Sequence, residues 1–227
     1  MQENKNIPTH VAIIMDGSDK WAQERNLTKY QGYNEGFKKI KIAAEWFFSF
    51  GVKYLSINVL TFDIWKMEES ERNYLMKLVA KTLGEKLENF QDSGIKILIS
   101  GRIDELPGDL SEVLRKTIFE TRNNNRGILN ICFNYNGKAE IVDAVKKIIE
   151  KKLLSEQINE ALIKKYLYQD SLPDPDLIIR TSGSQNFSNF LLWQSSCANL
   201  IYLKKYWPEF EKQDVEKIIK NYGQISS

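Results

Sequence analysis

The chain has 227 residues, 42% hydrophobic and 27% charged, with 32 Lys and Arg against 30 Asp and Glu. A formal charge of +2 mixed along the sequence argues against a dedicated nucleic-acid binder, which concentrates positive charge on one face or tail, and the hydrophobic share excludes a disordered chain. The two cysteines, Cys132 and Cys197, lack paired spacing and the only histidine is His10, which argues against a zinc finger, a His-rich metal centre and a Cys–His protease site. The polar start from Met1 to Pro8 lacks the apolar core of a signal peptide and no long apolar run follows, so a cytoplasmic location is expected.

The first apolar run, His10 to Met15, is short and continuous, as in a strand buried on both faces, and it ends at Asp16-Gly17. Polar helical sequence reaches about Leu27. From Asn34 to Phe50, the residues Phe37, Ile40, Ala44, Phe47 and Phe48 share one helical side, and Gly51 stops that helix. A second strand over Lys53 to Leu60 precedes a loop with Asp63 and Trp65, then a long helix from about Glu69 to Phe90. The alternation continues with a strand at Ile95 to Ile99, a helix from Pro107 to about Arg122 and a strand at Ile128 to Phe133. Helices over Ala139 to Leu153 and Glu156 to Tyr168 come next, followed by strands at Asp176 to Ile179 and Leu200 to Leu203, and a last helix over Lys212 to Asn221. Six strands with long crossovers predict an α/β fold, a mainly parallel six-stranded sheet flanked by helices, with residues 1–227 forming one domain.

Ligands of open parallel sheets bind outside the carboxyl ends of the strands. Asp16, Asp63, Asn134, Asn136 and Arg180 fall at such ends, and Lys20, Arg25 and Lys29 follow Asp16 closely enough to line the same crevice. Carboxylates beside basic side chains and a free helix start suit a phosphate ester with Mg²⁺. The spacing fits equally well a simple turn at Asp16-Gly17 with solvated lysines, and neither a P-loop nor Gly-x-Gly-x-x-Gly follows the first strand. Asn134 and Asn136 suit loop geometry, His10 and Cys132 a structural role.

The run His10-Val-Ala-Ile-Ile-Met-Asp-Gly17 followed by Trp21-Ala22 resembles the cis-prenyltransferases, the undecaprenyl diphosphate synthase family. Asn134-Tyr-Asn-Gly137 leading to Ala139 to Ala144, Leu172 to Gly183, Ser188 to Gln194 and Trp207-Pro208 continue the resemblance in order along nearly the whole chain. The resemblance implies a homodimeric enzyme that condenses an allylic diphosphate with isopentenyl diphosphate in the presence of Mg²⁺. It implies that Asp16 binds metal and assists departure of the allylic diphosphate, that Gly17, Ser18, Asp19, Lys20 and Lys29 contact phosphate, and that Arg180 and Ser188 hold the isopentenyl diphosphate. Trp21, Leu60 and Trp65 would wall the prenyl groups.

Several positions depart from the family pattern. Ser18-Asp19-Lys20 replaces Asn-Gly-Arg, Tyr33 replaces a histidine and is expected in a catalytic role, and Asp63 replaces a glutamate, also as a catalytic candidate. Met67 and Asn186 each replace an arginine, Asn186 remaining a substrate-binding candidate, and Asn199 replaces a metal-binding carboxylate. The expected metal ligands are therefore Asp16, Asp19 and Asn199. The losses fall on the isopentenyl side.

The expected function is an enzyme acting on short allylic prenyl diphosphates, C10 to C20, with Mg²⁺-assisted diphosphate departure and condensation with isopentenyl diphosphate as the broad default. Trp46, Phe47 and Phe48 are expected to shorten the prenyl cavity. Two alternatives stay open: a single-substrate terpene synthase or lyase, and a non-catalytic regulatory subunit of an active homologue. The expected partners are an isoprenoid diphosphate and a second copy of the chain, with no nucleic acid and with membrane proximity only for a long product.

Overall fold

In the computed structural model, residues 7–85, 87–186 and 188–225 are described. Strand β1 (His10–Ile14) is buried along its whole length, as its unbroken apolar run requires, and leads into the short helix α1 (Ser18–Gln23). Helix α2 (Lys29–Ser49) starts earlier than the apolar spacing predicts because Thr28 and Gln31 form a reciprocal capping box that draws an extra turn into the helix. Strand β2 (Tyr54–Thr61) and a single 3₁₀ turn precede α3 (Glu69–Glu85) and α4 (Leu87–Asp92), which flank residue 86, outside the described residues, within the one long helix expected here.

The rest of the chain comprises β3 (Ile95–Ser100), α5 (Gly108–Glu120), β4 (Gly127–Tyr135), α6 (Gly137–Glu150), α7 (Glu160–Tyr166), β5 (Leu177–Arg180), β6 (Asn199–Tyr202) and α8 (Lys212–Ile225). All six strands pair in parallel in the order β3-β4-β2-β1-β5-β6. Strands β1 and β5 are adjacent in space although most of the chain lies between them. The sheet is therefore closed by its latest elements.

One face of the sheet is apolar. Val11, Ile13, Leu55 and Ile57 meet Ile40, Ala43, Ala44 and Phe47 of α2, and the Phe47 ring stacks on Phe210 at 6.2 Å. Phe48 is also core, its ring filling the space over Gly127. The opposite face carries a buried polar chain. His10 donates from Nδ1 to the Pro173 carbonyl at 2.7 Å, which leaves Nε2 to accept from Ser56 Oγ at 2.8 Å; Ser56 in turn accepts from Asn130, whose Oδ1 accepts from Ser100. Asn136 caps α6 by accepting the Lys138 and Ala139 amides, and Cys132 is a buried free thiol, so both serve the fold as their sequence context indicates. Among the described residues no helix is long and apolar enough to cross a membrane.

Burial lowers the pKa of His10 from 6.5, outweighing the opposing effects of Pro173 and Asp176. The unfolded chain therefore takes up the proton first, so the neutral ring's contribution to stability is complete above about pH 6.5 and is lost as the pH falls through that value towards the folded pKa. Thermal melts between pH 7.5 and 5 should show the midpoint dropping on the acid side, and His10→Gln should flatten that slope; an unchanged slope would contradict the account.

Candidate active site

The sheet delivers Asp16 and Arg180 to the same end. Ile14 pairs with Arg180 in register, so the residue two beyond Ile14 and the last residue of β5 meet just outside the strands. Arg180 donates Nε and Nη2 to Asp16 Oδ2 at 2.7 and 2.6 Å. The Arg180 side chain is 9% exposed, whereas that of Asp16 is 35% exposed and opens onto the crevice. The Asp16 backbone is tied down as well, its N–H donating to Thr181 Oγ1 at 2.8 Å while its carbonyl accepts the Thr181 hydroxyl at 2.8 Å. The remaining side of Arg180, Nη1, donates to the backbone carbonyl and to Oδ1 of Asn186.

Asp16 lines a crevice of about 270 Å³ together with Gly17, Ser18, Asp19, Tyr33 and Leu60. Tyr33 donates its hydroxyl to Glu71 at 2.7 Å, and Glu71 also pairs with Lys29 at 2.5 Å. Burial, aided by the Glu71 bond, pushes the Tyr33 phenol well above its usual range, so it stays protonated and acts as a donor. The Lys29 ammonium holds Glu71 low, and Glu71 raises Lys29 in return. Beyond Phe37 and Val59, which border both spaces, lies a second and apolar chamber of about 400 Å³ between α2, α3 and the sheet. A β-bulge in β2 between Asn58 and Leu60 turns the consecutive residues Val59 and Leu60 to the same crevice.

The structure thus brings Asp16, Gly17, Ser18, Asp19, Tyr33, Leu60, Arg180 and Asn186 together, with Ser188 beside Asn186 and Lys29 joined through Glu71. Other expected positions fall elsewhere. Asp63 points to Lys66 at 2.7 Å and is not a crevice wall, because the 3₁₀ turn places these two residues side by side at the surface. Trp65 is 42% exposed and donates to Asn134 at 2.8 Å, while Trp21 lies under the Arg25 guanidinium, and neither ring borders the crevice. Lys20 is exposed and is not a wall.

Asn199 opens β6 opposite Leu177, at the amino end of the sheet, so within one chain it does not share the end that holds Asp16. The expected ligand trio of Asp16, Asp19 and Asn199 is therefore not assembled in a single chain, and among the described residues no group of three His, Cys, Asp or Glu side chains could hold a metal. Phe47 and Phe48 are core, and neither they nor Trp46 border the two cavities; Phe37 and Val59 are the residues that border both. Glu71, Phe37, Val59 and Trp207 are site residues that the strand-end argument misses. Phe37 lies one helical turn after Tyr33, a spacing that could have placed it on the same wall.

Three comparisons bear on this geometry. The family Prenyltransf, of undecaprenyl diphosphate synthases, matches residues 14–227. An isoprenyl transferase of Fusobacterium nucleatum subsp. nucleatum is 42% identical over 220 residues, 97% of this chain and 94% of that protein, and one of Clostridium tetani is 40% identical over 96% of this chain and 87% of that protein. The crystal structure of lavandulyl diphosphate synthase from Lavandula x intermedia in complex with dimethylallyl diphosphate superimposes with a TM-score of 0.90 at 28% identity, covering 96% of this chain and 95% of that one.

The loop behind Asp16 depends on missing side chains. Gly17 has φ +93°, a left-handed value that L residues seldom adopt, and a Cβ there would press on Tyr206 and Ser182. Across from it, α2 passes so close that a Cβ on Gly32 would overlap the Ser18 carbonyl oxygen, which is backbone and cannot rotate away. Gly32→Ala should therefore cost about 1–3 kcal/mol and lower the thermal midpoint by several degrees. A variant as stable as the parent would show that the approach is looser than described.

Proposed function

The chain belongs to the undecaprenyl diphosphate synthase family of cis-prenyltransferases, and from that membership we propose that it acts on a short allylic prenyl diphosphate seated beside Asp16. Fold and family make it a prenyl diphosphate transferase. The single observation that carries the finer reading is that Phe37 and Val59 stand between the crevice and the apolar chamber, bordering both, so that a tail growing from one towards the other would meet them. Support comes from the lavender enzyme, a relative of high structural similarity that binds dimethylallyl diphosphate, an allylic C5 substrate.

In the proposed reaction the allylic carbon–oxygen bond breaks, its electron pair leaves with the diphosphate, and the carbocation is taken up by the double bond of a second isoprenoid, which then loses a proton. Catalysis must answer the charge that collects on the departing oxygens. Arg180 fixes the Asp16 carboxylate beside the crevice, while the Tyr33 hydroxyl proton and the Lys29 ammonium are both held by Glu71, from which a diphosphate would have to draw them. Mg²⁺ characteristically takes one or two carboxylates and completes its shell with substrate phosphates and water. Asp16 and Asp19, both on the crevice wall, fit that donor set when a diphosphate is present, and the ion would offset phosphate charge. The apolar walls keep water from the cation.

A homodimer is part of this proposal. Val142, Val145 and Ile149 form an exposed stripe on α6, and Leu200 and Tyr202 are exposed on the edge strand β6. The single-substrate alternative draws support from Asn186, a neutral residue occupying one side of Arg180. Retention of the Asp16–Arg180 pair weighs against a purely regulatory subunit.

Incubation with Mg²⁺ and C10, C15 or C20 allylic diphosphates, each with and without isopentenyl diphosphate, tests the proposal. Condensation products of C15 to C25, one C5 unit beyond each substrate, are expected, with lone allylic substrate turned over to alcohol or olefin if the single-substrate alternative holds. Asp16→Ala should lower turnover on the order of 10²- to 10³-fold without loss of folded structure. Phe37→Ala should shift any elongation products to longer chains. A C55 product from the unaltered enzyme would refute the short-substrate reading.

A further inference from the structure

The guanidinium of Arg180 is already engaged on two sides. Nε and Nη2 hold Asp16, and Nη1 is taken by two oxygens of one residue, the carbonyl and the Oδ1 of Asn186. That same Oδ1 accepts the backbone N–H of Ser188 at 3.2 Å. A side-chain donor at the end of β5 and a backbone donor in the following loop therefore converge on a single neutral side chain. An anionic oxygen placed where Oδ1 lies would meet the same two donors, Arg180 Nη1 and the Ser188 N–H, with one of the bonds charge-assisted.

We propose that Asn186 is an internal stand-in for a phosphate group and thereby a specificity-determining residue. Its oxygens occupy Arg180 Nη1 and the Ser188 amide in the resting enzyme, and a second diphosphate substrate has to displace them to bind. Asn186 is exposed and uncharged, so the displacement costs affinity without closing the site. A substrate seated at the Asp16 end has no need to touch it. The inference rests on the proposed reading of the crevice as a prenyl diphosphate site and adds how that site discriminates between its two substrates.

The test is calorimetric titration of isopentenyl diphosphate, with Mg²⁺, into the full chain saturated with geranyl S-thiolodiphosphate, an allylic analogue that does not ionise. Asn186→Ala should bind isopentenyl diphosphate about three- to tenfold tighter, because the competing Oδ1 is gone. Asn186→Asp, which keeps the shape and adds a charge facing Arg180, should bind it about tenfold more weakly. Affinity for the geranyl analogue should change less than about twofold in both variants. Unchanged or weaker isopentenyl binding by Asn186→Ala, or parallel changes in both ligands, would overturn the inference while leaving the allylic site intact. Failure of the unaltered protein to bind the geranyl analogue would instead refute the reading of the crevice, and this inference with it.

Discussion

The pairing of Asp16 with Arg180 is the constraint on which the site is built. Arg180 is almost wholly withdrawn from water, and a guanidinium in that position is stable only with a matched anion and good geometry. Two of its nitrogens on one carboxylate oxygen provide that match and fix the direction in which the carboxylate faces. The pair also joins neighbouring strands at the end where loops converge, so one contact orients the reactive carboxylate and seals the edge of the crevice. Thr181 completes the arrangement by holding the backbone of Asp16 from the other side.

Around that pair the sheet divides its labour between faces. The face under α2 and α3 is apolar and borders both cavities, which suits a hydrocarbon tail. The other carries the linked polar groups from His10 to Ser100 and the buried Glu140, whose carboxylate accepts from Tyr135, Gln194 and the Tyr168 amide. Most of these groups satisfy one another in the interior, Gln194 Oε1 being left without a partner, and they keep the buried polar atoms away from the apolar face. Chemistry is confined to the rim where the two faces end.

Most of the fold was legible because its strands are short apolar runs bounded by Gly, Pro and Asx residues, and the six strands fall within a residue or two of the expected bounds. Where helices differ, local geometry decided: α1 stops at Gln23 shortly before Asn26 adopts φ 55°, and α2 gains a turn from its cap. Asp16 and Arg180 were legible as strand-end residues, whereas their direct contact follows from the adjacency of β1 and β5, which the sequence does not reveal. The tail-facing residues were not legible. A strict two-residue period puts Val59 and Leu60 on opposite faces, and only the bulge in β2 brings both to the crevice. Asp63 and Asn199 misled for different reasons: a nearby lysine captures the first, and the direction of β6 carries the second to the far end of the sheet.

The strand order also bears on how the protein is made. Asp16 and Arg180 lie 164 positions apart, so the ribosome delivers the carboxylate long before its partner. Contacts so far apart in sequence form slowly, since a long loop must close before they stabilise anything. During synthesis the nascent chain can assemble β1 to β4 with their helices, yet the acidic pocket stays without its arginine until β5 has emerged. A translation product that stops before Arg180 thus lacks the partner that fixes its carboxylate.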